Sequence, residues 1–175
     1  MQLCHGDRAI AEGRAVTLDC DVPEPVDFER ATAWSKHYRG FTDHPLEHCF
    51  VCGPSRSAGD GLRIFAGRPS DTGPVAAPWI PDENLADEDG QLPGPVVWAA
   101  VDCPGYFAHA LDTMALLGTM TGELLRPVRA GQRYVTMGWS RGQQGRKYLS
   151  GSALFTADGD LCARATQVWI VPRSS

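Results

Sequence analysis

Apolar and polar positions alternate most clearly late in the chain. Tyr134, Thr136, Gly138 and Ser140 fall on one face of an extended segment, and Val135, Met137 and Trp139 on the other. A period of two marks a strand whose faces meet different surroundings. Gly142-Gln143-Gln144-Gly145 predicts a turn into a strand over 148–156, and Ala157-Asp158-Gly159-Asp160 a turn into another over 161–171. Residues 114–171 therefore read as an antiparallel meander. Upstream, residues 8–22 are strand-like around Val16-Thr17-Leu18 and stop at Pro23-Glu24-Pro25. Asp27 is placed to cap a helix over 27–38, with Phe28, Ala31, Trp34 and Tyr38 near helical spacing and Gly40 beyond its end. Residues 40–61 read as a long loop, 62–66 and 75–80 as short strands, and 81–94 as an acidic loop. His5-Gly6-Asp7 and Asp158-Gly159-Asp160 both read as tight hairpin turns, alike by chance or as the echo of a related module.

The most apolar run, Pro95-Val96-Val97-Trp98-Ala99-Ala100-Val101, follows Pro93-Gly94, where proline suits a first helical turn. Its periodicity fits a buried strand or a buried helix. Ala99, Ala100, Ala108 and Ala110 favour a helix of about four turns, kinked or interrupted at Pro104-Gly105. Helix followed by antiparallel strands, without βαβ alternation or a phosphate-binding glycine loop, predicts an α+β fold in which a curved sheet wraps the helix.

Length and charge then narrow the partners. A chain of 175 residues suits one domain with a full core, with 1–45 as a strand and helix extension to a domain over 46–175. Apolar residues at 43% and charged residues at 21% exclude a disordered chain. No run reaches a membrane span and the first residues do not read as an export signal, so a cytoplasmic protein is expected, its six cysteines kept as thiols. A net charge of −5 speaks against a nucleic-acid surface. Residues 1–90 hold 8 Lys and Arg against 16 Asp and Glu, whereas 91–175 hold 8 against 5, so an anionic small molecule is expected to dock on the second half.

The run Gly94-Pro95-Val96-Val97-Trp98-Ala99-Ala100-Val101-Asp102 resembles the helix of hotdog-fold proteins of the acyl-CoA thioesterase type, in which an acidic residue lies about two turns in. His48-Cys49-Phe50-Val51-Cys52-Gly53-Pro54 followed by Gly61-Leu62-Arg63-Ile64 is similar to one branch of these proteins, and the likeness covers about 46–172. It implies a long central helix wrapped by the sheet, a homodimer, and coenzyme A as part of the substrate rather than a bound cofactor. It also implies Asp102 as general base or nucleophile at a thioester carbonyl, with the N–H groups of Gly94 and Val96 facing the oxyanion. Pro95 departs from the family's second glycine and carries no N–H. Arg126, Arg129 and Arg133 flank Pro127 and Gly131, while Arg146 and Lys147 follow the Gly142–Gly145 turn. As strand-end cations at a dimer seam they are implied to hold the phosphates of coenzyme A.

Each of these residues has a plainer reading. Asp102 could end a helix tied to Lys147 or an arginine, and the cations could be ordinary loop charges. Cys49 and Cys52, near His48, His44 and His37, have ligand spacing for two thiolates but no second Cys-x-x-Cys. A metal-free knuckle over the pocket is expected, against zinc or a redox pair. Cys103 would be a nucleophile only if His109 approached it. Trp98, Tyr106, Phe107 and Trp139 read as core or pocket lining. A non-catalytic acyl-CoA or small-ligand binder is the alternative to the hydrolase. A dehydratase or hydratase is disfavoured because no histidine precedes the helix to pair with the acid.

Overall fold

The computed structural model describes residues 1–109 and 114–173. An N-terminal hairpin pairs β1 (Gln2–His5) with β2 (Arg8–Glu12), turning through Gly6 at φ 59°, a conformation that glycine adopts freely. Both hairpin turns read from the sequence are present, the second through Gly159 at φ 89°. Residues 13–22 are not strand, and Val16 stays exposed. Helix α1 (Phe28–Ser35) starts where predicted, with the Asp27 carboxylate accepting the Arg30 N–H at 2.6 Å, and ends three residues short of the predicted 38.

Five strands form the main sheet: β3 (Val75–Trp79), β4 (Leu116–Leu124), β5 (Tyr134–Gln144), β6 (Lys147–Thr156) and β7 (Leu161–Ile170). Their order is β3-β5-β6-β7-β4, antiparallel throughout. The meander is correct for β5, β6 and β7, but β4 crosses over to pair with β7, so the single meander over 114–171 is corrected. Residues 62–66 are not a strand either. The Leu62 and Ile64 N–H groups bond to the Phe50 and Val51 carbonyls at 2.8 Å, and Arg63 between them turns to φ 53°, which ties this stretch to the cysteine loop.

The predicted alternation in β5 divides the molecule into layers. Val135 and Met137 join Ala76, Ala153 and Phe155 beneath α1, whose Ala31 is fully buried against them. On the opposite face Tyr134 and Leu154 meet the main core, formed with Val97, Ala100, Val101, Phe107 and Ala165. Two short helices, α2 (Gly94–Ala100) and α3 (Cys103–Phe107), supply that layer in place of one four-turn helix. The break lies at Val101-Asp102, just ahead of Pro104, whose ring would meet the carbonyl four residues back and which has no N–H to give. Gly138 lets α3 lie close to the sheet: a Cβ there would stand 2.0 Å from the Pro104 carbonyl oxygen.

Candidate functional site

The interrupted helix leaves carbonyls that the sheet must satisfy, because unpaired polar groups are costly when buried. Ser152 Oγ donates to the Val101 carbonyl at 2.5 Å, and Gln167 Nε2 donates to the carbonyls of Val101 at 2.7 Å and Asp102 at 3.0 Å. Ser150 Oγ donates to the Gly105 carbonyl at 2.7 Å. Gln167 is itself fixed by Trp169, whose indole N–H donates to its Oε1 at 2.9 Å. This buried polar set holds the α2–α3 junction in one conformation and thereby aims Asp102.

Asp102 is the half-buried residue at the break. Oδ1 is buried without a hydrogen-bond partner, and no ion pair reaches the carboxylate among the described residues. The reading of Asp102 as tied to Lys147 or an arginine is therefore corrected. Desolvation, with the nearby Cys49 sulfur second, pushes its pKa up to about 6. Cys103 does not meet His109: the His109 Nε2 lies 3.0 Å from Ser150 Oγ, and since that hydroxyl already donates to Gly105, the imidazole is the donor. A histidine so committed activates neither Cys103 nor Ser150.

At the start of α2, the Val96 N–H donates to the Pro93 carbonyl at 2.9 Å and Val97 to the same oxygen at 3.3 Å. Val96 is thus withdrawn from the pair of oxyanion donors, Pro95 has none, and Gly94 keeps the one uncommitted N–H of this turn. Gly94 lines a cleft of about 260 Å³ together with Leu124 and Arg126. Asp102 does not line it.

The five cations do not form one group. Arg126, Arg129 and Arg133 lie at the end of the sheet where β5 begins, and Arg146 and Lys147 at the turn where it finishes. The 11 residues of β5 span the distance between these ends, roughly 33 Å at about 3.3 Å per step. Arg126 faces Asp160 at 3.3 Å, and Arg129 donates to the Asp89 carbonyl at 2.9 Å. Arg133 lies over the Phe28 ring and 3.9 Å from Glu29. Arg146 donates to the Val171 carbonyl at 2.5 Å.

The cysteine loop is more organised than its sequence. Gly53 closes the knuckle, its N–H donating to the Cys49 carbonyl at 2.9 Å, in a space where a Cβ would meet the Glu47 oxygen at 2.4 Å. The Tyr38 hydroxyl donates to the Cys52 carbonyl at 2.9 Å. Cys103, which spacing alone left isolated, comes within 3.7 Å of Cys49 sulfur to sulfur. Hydrogen bonds from the Cys103 and Cys52 thiols, aided by the Val51 and Cys52 N–H groups, pull the Cys49 pKa down to about 2. The same Cys49 contact pushes the Cys103 thiol well up. Sequence reasoning missed both Cys103 in this cluster and Gln167. A signal for Gln167 existed: it shares strand parity with the buried Ala163, Ala165 and Trp169.

Among aromatics, Phe107 is core and Tyr106 packs edge to face on Trp169, 5.3 Å between centroids. Trp98 remains 37% exposed and lies against Gly122 of β4.

No protein-family profile and no curated protein sequence matches this chain. Solved structures do. A thioesterase-superfamily protein aligns at TM-score 0.62 and 18% identity, over 71% of this chain and 61% of its own length. The PaaI protein of E. coli, from the phenylacetic acid degradation operon, aligns at 0.53 and 14%, over 58% and 79%. The smu.793 protein of Streptococcus mutans UA159, solved bound to acetyl CoA, aligns at 0.56 and 12%, over 67% and 94%. The chain shares the fold of these proteins, the hotdog fold expected from the sequence. The long central helix that the resemblance implied is here two short ones over 94–107.

Proposed function

We propose that this chain hydrolyses acyl-CoA thioesters as a homodimer, with Asp102 as general base. The observation that carries the reading is the buried Asp102 Oδ1 without a partner, since a buried carboxylate oxygen left unpaired is costly unless it is used. In the reaction the carboxylate takes a proton from water as the water oxygen attacks the thioester carbonyl. The developing oxyanion accepts the Gly94 N–H, and collapse breaks the carbon–sulfur bond, with the proton passing from Asp102 to the departing thiolate.

Eight residues separate Gly94 from Asp102, about 12 Å at roughly 1.5 Å per residue. One carbonyl cannot be served by both from the same chain, so the site combines Asp102 of one copy with Gly94 of another. Edge strand β4 supports that pairing: it has one neighbour in the sheet and exposes Leu116, Leu117 and Leu124. Arg126, on the wall of the Gly94 cleft, is the phosphate contact in this arrangement, with Arg133 at the same end of the sheet and Arg146 and Lys147 at the other.

The test is release of free thiol from a panel of acyl-CoAs by the parent and by Asp102→Asn. The variant is expected to lose on the order of 10²-fold in turnover while keeping CoA binding and thermal midpoint. Full turnover in the variant would place the base elsewhere. Val96 and Pro95 favour a second reading, a binder that does not cleave, because only Gly94 is left to face an oxyanion. Tight CoA binding with no thiol release from any substrate would establish it.

A further inference from the structure

We infer that Cys49, Cys52 and Cys103 bind one zinc-type divalent metal ion, with His44 as the fourth ligand. The three sulfurs lie within 4.8 Å of one another, brought together from the 40–61 loop and the first residue of α3. Thiolates around a tetrahedral zinc at about 2.3 Å stand roughly 3.8 Å apart. Cys49 and Cys103 are already at 3.7 Å. The knuckle makes the tight return such a site needs, the Gly53 N–H donating to the Cys49 carbonyl in a space where a Cβ would meet the Glu47 oxygen. Three soft thiolates with an imidazole select zinc over the oxygen-seeking cations.

His44 sits at the edge of this group, its Nε2 3.3 Å from Cys52 Sγ, and its Nδ1 accepts the Leu46 N–H at 2.9 Å. An Nε2 ligand carries its ring proton on Nδ1, so ligation ends the Leu46 hydrogen bond as the ring swings toward the other sulfurs. Leu46 is exposed and its N–H can turn to water. The ion replaces the thiol protons, which leave to solvent on binding. It would clip the long loop to the start of α3, one residue from Asp102, and so does not depend on what Asp102 does.

Two measurements test this without reference to turnover. Protein purified without chelator should carry one zinc per chain by elemental analysis. After chelator treatment, one equivalent of cobalt(II) should produce the thiolate charge-transfer and visible ligand-field bands of a tetrahedral site. Cys103→Ser should lose the metal and Cys4→Ser should retain it, while His44→Ala should keep the charge-transfer band and change the ligand-field bands. Because Cys103→Ser could fail to fold, the cobalt titration of the parent chain is decisive alone. Three freely titrating cluster thiols in protein that takes up neither ion, or a Cys49–Cys103 disulfide in metal-free protein, would overturn the site. A cobalt spectrum unchanged by His44→Ala would overturn the fourth ligand.

Discussion

Replacing Gln167 by methionine removes both polar ends of the side chain that pins the α2–α3 junction while keeping its length. The consequences are unequal. The Trp169 indole N–H, 7% exposed as a residue, loses its acceptor and is left buried and unpaired, at a cost of about 1–3 kcal/mol. The Val101 carbonyl keeps Ser152 Oγ, and the Asp102 carbonyl keeps the Gly105 N–H at 3.1 Å, so each loses one of two donors. Those losses are each worth about 0.5–1 kcal/mol, at the low end for a hydrogen bond. The total expected destabilisation is about 2–5 kcal/mol, or roughly 4–20 °C in midpoint for a chain of this size. Urea unfolding of the parent, Gln167→Met, Trp169→Phe and the double variant measures it. With the indole already gone, Gln167→Met should cost about 1–3 kcal/mol less. A loss below about 1 kcal/mol, or the same loss in both backgrounds, would refute the account of how the junction is held.

Leu117→Lys places a charge on the exposed edge of β4, and light scattering at micromolar concentration should report a monomer where the parent is a dimer. Turnover should fall with it if the site is shared, and an unchanged dimer would put the interface elsewhere. Arg126→Glu should weaken CoA binding more than binding of an acyl ester without the nucleotide, in a salt-dependent way. Equal losses for both ligands, or a CoA loss confined to Lys147→Glu, would move the phosphate contact away from the Gly94 cleft.

Local features of this chain were legible before the fold was known. The Asp27 cap of α1, the hairpin turns at Gly6 and Gly159, and the two-faced alternation of β5 depend on residues a few positions apart, whose backbone preferences act wherever the segment is placed. The family resemblance of 94–102 led to an antiparallel sheet with helices, although not to the single long helix it implied. What failed were statements about partners. Whether 62–66 forms a strand depends on which backbone lies beside it, and the cysteine loop does, where a strand partner was expected. Pro104 announced an interruption, but its position was set by which carbonyls Ser150, Ser152 and Gln167 could reach from β6 and β7.

The sequence by itself determined β5 to β7, the hairpin turns and the cap of α1, along with the presence of an acid, a basic half and a pair of cysteines, because these follow from composition and short-range sterics. Only tertiary structure decided that Asp102 Oδ1 would be buried without a partner, that Cys103 would join Cys49 across 54 positions, and that the cations would divide between opposite ends of the sheet. Each of these is a distance between residues far apart in the chain. Such distances are set by how β4 crosses to β7 and how two short helices lie across the sheet, which no local pattern encodes.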